Sequence, residues 1–168
     1  MKRVVVIGAG GFIGSHLVKK LNSLGHYVIG IDIKFPEFSS TFADEFHKLD
    51  ATNYKHLNKS IDEDVDEIYQ LAADMGGAGY IFTGDNDLNV MLNSATINLN
   101  VARIIKEKNI PMVFFSSSAC IYPEHNQMDP DNPNCVEERA YPANPDSDYG
   151  WEKLFSERVF LAFMRNYG

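Results

Sequence analysis

Residues 4–14 read Val4-Val5-Val6-Ile7-Gly8-Ala9-Gly10-Gly11-Phe12-Ile13-Gly14, and this stretch decides the fold. Four consecutive β-branched residues predict a strand covered on both faces. Glycines follow at positions 8, 11 and 14. The first permits a tight strand-to-helix turn, the second lets backbone approach a pyrophosphate, and the third lets helix and strand pack closely. Beyond them Ile13, Leu17, Val18, Leu21 and Leu24 recur at helical spacing, with Gly25 as the stop. A glycine triplet alone is weak evidence; placed between a buried strand and an amphipathic helix, it is strong.

Outward from this unit, hydrophobic runs alternate with amphipathic ones. Strands are expected at 26–32, 46–49, 67–73 and 112–116, and helices at 54–59, 86–108 and 147–165. Pro111 closes the long helix. Apolar strands separated by helices imply a parallel sheet covered on both faces, that is, a doubly wound α/β domain spanning 1–168. Residues 122–146 hold Pro123, Pro130, Pro133, Pro142 and Pro145 and read as a long loop of the kind that is often functional. The sequence stops at Asn166-Tyr167-Gly168, directly after a helix, where a complete domain of this class adds another strand. The expectation is a domain truncated at its C-terminus.

Composition narrows the function. The chain has 168 residues with 15 basic and 23 acidic side chains, a net charge of −8, and no Lys/Arg run, which argues against nucleic acid or an anionic membrane as partner. The apolar runs 4–7 and 112–115 are far too short to cross a bilayer. Met1-Lys2-Arg3 is like the start of a signal peptide, but the apolar run ends at Gly8. Cys120 and Cys135 in a chain large enough for a real core point to a reducing compartment, so a cytoplasmic location is expected. Asp62-Glu63-Asp64 with Asp66 and Glu67 lacks metal-loop spacing and reads as a solvated turn, and no metal is expected. His16 reads as a helix-surface residue, Cys135 as a loop thiol and Trp151 as packing.

Asp32 ends the second strand about 20 residues past the glycines, where a carboxylate accepts hydrogen bonds from adenosine ribose hydroxyls. It would repel a 2′-phosphate, so NAD is favoured over NADP, with Lys34 nearby as the opposing signal. A phosphate turn for another nucleotide is the alternative, although the GK[ST] ending of a P-loop is missing. Tyr149-Gly150-Trp151-Glu152-Lys153 sets a phenol and an amine on one helix face, and an ammonium near the phenol would lower its pKa into a useful range. Ser116-Ser117-Ser118-Ala119-Cys120 follows the fifth strand, at the end where such sheets bind ligands.

Taken together, the loop from Gly8 to Gly14, Asp32, Leu71-Ala72-Ala73, the serine cluster, Tyr149 and Lys153 resemble the extended short-chain dehydrogenase/reductase family of nucleotide-sugar enzymes. Leu71-Ala72-Ala73-Asp74-Met75-Gly76-Gly77 and Ser118-Ala119-Cys120-Ile121-Tyr122-Pro123-Glu124 are similar to its GDP-mannose 3,5-epimerase branch, over the N-terminal part of such an enzyme. The resemblance implies an NAD-binding Rossmann domain at 1–168, with the C-terminal substrate-binding lobe outside it. It implies cofactor contacts from Gly8, Gly11, Phe12, Ile13, Gly14, Asp32, Asp50, Leu71, Ala72, Ala73, Tyr149 and Lys153, Asp50 meeting the adenine amino group.

For chemistry the resemblance implies that Tyr149 removes the C4 hydroxyl proton of a nucleotide sugar while NAD oxidises C4. Ser118 bonds O4, Gly76 lines the sugar, and Cys120 exchanges protons at C3 and C5. A ketone at C4 acidifies both neighbours, and a thiol of reference pKa about 8.5 becomes a competent base when a nearby cation lowers it. The opposite-face acid is implied to be a lysine beyond Gly168. A homodimer through the two long helices is implied as well. Other readings stay open: a 4-epimerase, a 4,6-dehydratase (against which Ala119-Cys120 replaces the usual Asp-Glu pair), a non-catalytic NAD-binding module, and an inert buried Cys120.

Overall fold

The computed structural model describes residues 1–131 and 133–168. Asn132, inside the expected 122–146 loop, lies outside the described residues. Five parallel strands form one sheet: β1 (Arg3–Ile7), β2 (Tyr27–Asp32), β3 (Glu45–Lys48), β4 (Glu67–Gln70) and β5 (Met112–Phe115), in the order β3-β2-β1-β4-β5. The helices are α1 (Phe12–Ser23), α2 (Tyr54–Lys59), α3 (Ala78–Ile81), α4 (Asp87–Lys108) and α5 (Asp148–Tyr167). The sheet is the doubly wound parallel one expected. Strand order reverses at β1, whose exit is the switch point where such sheets bind ligands.

Register follows from burial. Val4 to Ile7 are fully buried, paired with Val28 to Ile31 on one side and with 67–70 on the other. Such a strand has no solvent face, which explains its unbroken β-branched run. β5 differs from expectation: as the edge strand it buries only alternate residues in part, leaving Met112 and Phe114 exposed. β4 ends at Gln70 rather than 73, because Gln70 turns its side chain onto the segment that follows. Its amide donates to Ala72 O (2.8 Å) and Asn98 Oδ1 (2.7 Å), and its Oε1 accepts from Ala72 N. Buried polar groups must be paired, and this pair ties the 71–73 segment to α4.

Local signals set the helix ends. Asn53 caps α2 by accepting from His56 N, and Ser147 caps α5 by accepting from Gly150 N. α4 stops at Asn109, whose φ of 54° is left-handed, with Ile110 N–H bonded back to Ile105 O; Pro111 only follows. The 62–67 acids are not simply a solvated turn. Asp66 accepts from the Arg3 N–H, Asp62 and Asp64 pair with the Arg3 guanidinium, and buried Glu67 pairs with Lys2. They fasten the start of β1.

The chain divides into two compact units, Met1–Ala73 with Thr96–Ser116, and Asp74–Ala95 with Ser117–Gly168. The whole sheet belongs to the first. In the second, α3, the first turns of α4, three 3₁₀ turns and α5 surround two small cores, Ile81–Val90–Tyr149 and Ile121–Ala140–Leu154. Residues 122–131 and 133–146 form a loop as expected, but it contains 3₁₀ turns at Glu124–Asn126 and Glu137–Arg139. A bridge between Pro123 and Pro145 closes it on itself. Among the described residues no helix is long and apolar enough to cross a membrane.

Candidate active site

In the first unit the site is made of backbone. β1 ends at Ile7 and runs into Gly8, whose φ of +93° suits glycine and whose N–H donates to Ile31 O (2.8 Å). A Cβ on Gly14 would lie 2.0 Å from Gly8 O, so α1 starts in contact with the strand end. At Gly11 a Cβ would meet only Gly8 O, at 3.4 Å, which leaves the loop's outer side open. The N-terminus of α1 adds free N–H groups and a partial positive charge. Gly10, absent from the expected cofactor contacts, is equally constrained. Its N–H donates to Asp32 Oδ2 (2.8 Å), and a Cβ there would fall 2.1 Å from Lys34 O.

Asp32 Oδ1 accepts from Lys34 N (3.1 Å), so the carboxylate is fixed at the end of β2 with acceptor capacity to spare. The Lys34 ammonium is paired with Glu37, which raises its pKa and occupies the cation that spoke for NADP. A cavity of about 480 Å³ opens over Gly10, Gly11 and Phe12 and reaches Lys34 and Phe38. Phe12 and Ile13 are exposed beside it. Ala72 N would lie 2.8 Å from a Cβ on Gly8, and Leu71 N donates to Ile7 O, so the 71–73 segment runs against the loop. Asp50 bonds Thr52 N and Oγ1 (2.8 Å each) in a local turn after β3. An anion cradle, an open approach and an oriented carboxylate fit a dinucleotide.

In the second unit the site is made of side chains. Ser118 caps the 3₁₀ turn Ala119–Ile121 by accepting from Cys120 N (3.2 Å). The first turn of α5 closes on that turn: a Cβ on Gly150 would sit 2.1 Å from Cys120 O, and Asp146 N donates to the same carbonyl. Tyr149 is buried with Ile81 and Val90, with Cys120 and Tyr80 against them. Its hydroxyl donates to Met75 Sδ at 3.8 Å. Gly76 lies against Tyr80, where a Cβ would come within 2.7 Å of that residue's Cβ.

The electrostatics depart from expectation. Burial pushes the Tyr149 phenol above its ordinary value, with Cys120 and Glu152 adding to the rise, while the Ser118 hydroxyl opposes it. The Lys153 Nζ stands over the ring face, 5.6 Å from the centroid, and burial depresses its own pKa, opposed by Glu152. Burial likewise raises the Cys120 thiol; Ser118 lowers it, and Asp146 raises it further. Both shifts favour the protonated form. Cys135 is a loop thiol near Asn126 O, His16 lies on the α1 surface against Phe12, and Trp151 is partly exposed. Among the described residues no group of three or more His, Cys, Asp or Glu side chains is arranged to hold a metal.

The family model of the NAD-dependent epimerases and dehydratases matches residues 4–168. The chain belongs to that family. NAD is therefore its cofactor, as the glycine loop and Asp32 led one to expect. It is 39% identical to GDP-mannose 3,5-epimerase of Arabidopsis thaliana over 168 residues, 99% of this chain and 44% of the plant enzyme. The fold is similar to that of UDP-glucose 4-epimerase from Thermotoga maritima, described with UDP-glucose (TM-score 0.79, 23% identity, 99% of this chain and 52% of that one). It is equally similar to the Thermus thermophilus UDP-glucose 4-epimerase complex with NAD (TM-score 0.78, 23% identity, with 99% and 52% covered). The chain thus spans about half the length of the relatives it matches.

Proposed function

We propose that this chain is the cofactor-binding and catalytic part of a nucleotide-sugar epimerase that oxidises C4 transiently and inverts C3 and C5, as in GDP-mannose 3,5-epimerase. One observation carries the reading: a thiol, Cys120, packs in the same cluster as the phenol of Tyr149, with Ser118 beside both. A 4-epimerase needs the phenol alone. Proton exchange at carbon needs a further acid–base group, and Cys120 is one. The 39% identity to the plant epimerase supports the same choice.

When bound, NAD supplies reversible two-electron oxidation at sugar C4. Gly8, Gly11 and Gly14 with the α1 N-terminus would hold its pyrophosphate, and Phe12 and Ile13 would lie along it. Asp32 would hold the adenosine ribose and Asp50 the adenine, with Leu71 to Ala73 lining the cofactor and Lys153 on the nicotinamide ribose. Tyr149 Oη would move the C4 hydroxyl proton, Ser118 Oγ would bond O4, and Gly76 would line the sugar. Because burial keeps Cys120 protonated, it enters as the thiol, the form that returns a proton to the carbanion at C3 or C5. The group withdrawing the proton from the other face is expected outside 1–168, a lysine in the resembling enzymes. Exposed Leu88, Leu92 and Leu99 on α4, with Phe155 and Met164 on α5, support a homodimer, which light scattering would test.

Turnover by the intact protein in heavy water is the test. Deuterium should enter the sugar at C3 or C5, and Cys120→Ser should abolish inversion at those carbons while C4 oxidation persists. C4 inversion without exchange at C3 or C5 would instead make the enzyme a 4-epimerase.

A further inference from the structure

Asp74 has no role in the chemistry above, yet it is the best-anchored residue of its segment. Its Oδ1 accepts from the Tyr80 hydroxyl at 2.9 Å and its Oδ2 from Asn93 Nδ2 at 2.6 Å. Its N–H donates to the hydroxyl of fully buried Ser94 at 3.0 Å. Asn93 and Ser94 belong to α4, so the helix clamps main chain and side chain of Asp74 together. The next residue, Met75, is exposed on one side and on the other receives the Tyr149 hydroxyl at its thioether. After it comes Gly76, seated against the same Tyr80 ring. An acidic residue bonded this fully is there to fix a turn, and what the turn presents is Met75.

We infer that Asp74 is a positioning residue that holds Met75 against the Tyr149 hydroxyl, and that Met75 is the wall a sugar hydroxyl must displace to reach the phenol. The inference rests on reading Tyr149 as the acid–base residue. A thioether is a weak acceptor. It aims the phenol O–H and shields it from water without forming a bond that an incoming hydroxyl cannot replace. A carboxylate or carbonyl at that point would hold the phenol too well, and an alanine would leave it to water. The unbranched methionine chain can also swing aside without breaking the Asp74 anchor.

The test uses the intact protein labelled with [ζ-¹³C]tyrosine and [methyl-¹³C]methionine, with Tyr149→Phe and Met75→Leu identifying the two resonances. Met75→Ala should lower the Tyr149 titration midpoint, because water then reaches a phenol whose pKa burial had raised. Asp74→Ala should move the Met75 methyl resonance and lower the midpoint to the same extent, and the double substitution should add nothing further. In each variant kcat/KM for the nucleotide sugar should fall roughly tenfold. Asp74→Asn, which keeps an acceptor for Tyr80, should give a smaller version of the same shifts and carries the test where Asp74→Ala does not fold. A Tyr149 midpoint unmoved by either Met75→Ala or Asp74→Asn overturns the inference, and so do effects that add in the double variant. Full activity in Tyr149→Phe is a separate result: it removes the functional reading and leaves the Asp74–Met75–Tyr149 relation to be judged by resonance alone.

Discussion

The glycine loop and the Tyr149–Cys120 cluster are built on opposite principles. Around Gly8 to Gly14 the constraint is space: main chain approaches main chain so closely that a Cβ on Gly10 or Gly14 would overlap a carbonyl oxygen at about 2 Å. No side chain need titrate. Around Tyr149 the constraint is solvation: a phenol, a thiol and an ammonium are withdrawn from water, and all three shift towards their neutral forms. A cradle made of backbone tolerates no added atom where chain meets chain, as at Gly10 and Gly14, and its peptide groups do not titrate. A site made of buried titratable groups responds to every neighbouring charge.

The sharpest break should come from Tyr149→Phe, which leaves the packing and removes the proton carrier. Turnover is expected to drop by about two to four orders of magnitude while NAD affinity, read by calorimetry, stays within a few-fold. Loss of NAD binding instead would merge the two regions into one. Next come the glycines. Gly14→Ala should cost about 3 kcal/mol in denaturant unfolding, the upper end for overpacked positions. Gly11→Ala, whose Cβ meets nothing closer than 3.4 Å, should change stability by no more than about 0.5 kcal/mol and yet weaken NAD binding. Equal destabilisation by both would mean that space is not what distinguishes them.

Gln70→Leu leaves the buried Asn98 carbonyl oxygen and the Ala72 N–H without these partners, at about 1–3 kcal/mol. A thermal melt and NAD affinity should fall together, because the same amide holds the 71–73 segment against the glycine loop. The smallest effect is also the most specific. In a Cys135→Ser background, alkylation of Cys120 by iodoacetamide should rise with pH to a midpoint above that of an ordinary thiol, since burial and Asp146 favour the protonated form. Asp146→Asn removes one raising cause and should bring the midpoint down. Addition of oxidised NAD should lower the Tyr149 midpoint if the phenol meets the positively charged nicotinamide ring. An unmoved midpoint would break that part of the mechanism.

Much of this was legible in the residues. The run 4–7, the glycines after it and the helical periodicity at 13–24 each express a rule with a single local solution: two covered faces, a left-handed turn and one apolar stripe. The Tyr149–Lys153 pairing is likewise a matter of helical spacing. Gly10 carried a readable signal in the adjacent pair Gly10-Gly11, but its need arises only because Asp32 and Lys34 return to that spot from another strand.

What the sequence by itself determined was therefore the order of the five strands and the main helices, the parallel sheet, the position of the glycine turn and the residue types at the candidate site. Only the tertiary structure decided their electrical state. A lysine four residues from a tyrosine reads as a cation that acidifies a phenol, yet in the fold it lies over the ring face, buried and partly stripped of its own charge preference. The fold also decided what Asp74 is for, since Tyr80, Asn93 and Ser94 meet it only once α4 has packed. Spacing along a chain fixes direction and periodicity, but the pKa of a group depends on how much water is excluded around it and which charges arrive from elsewhere, and both are properties of the packed molecule.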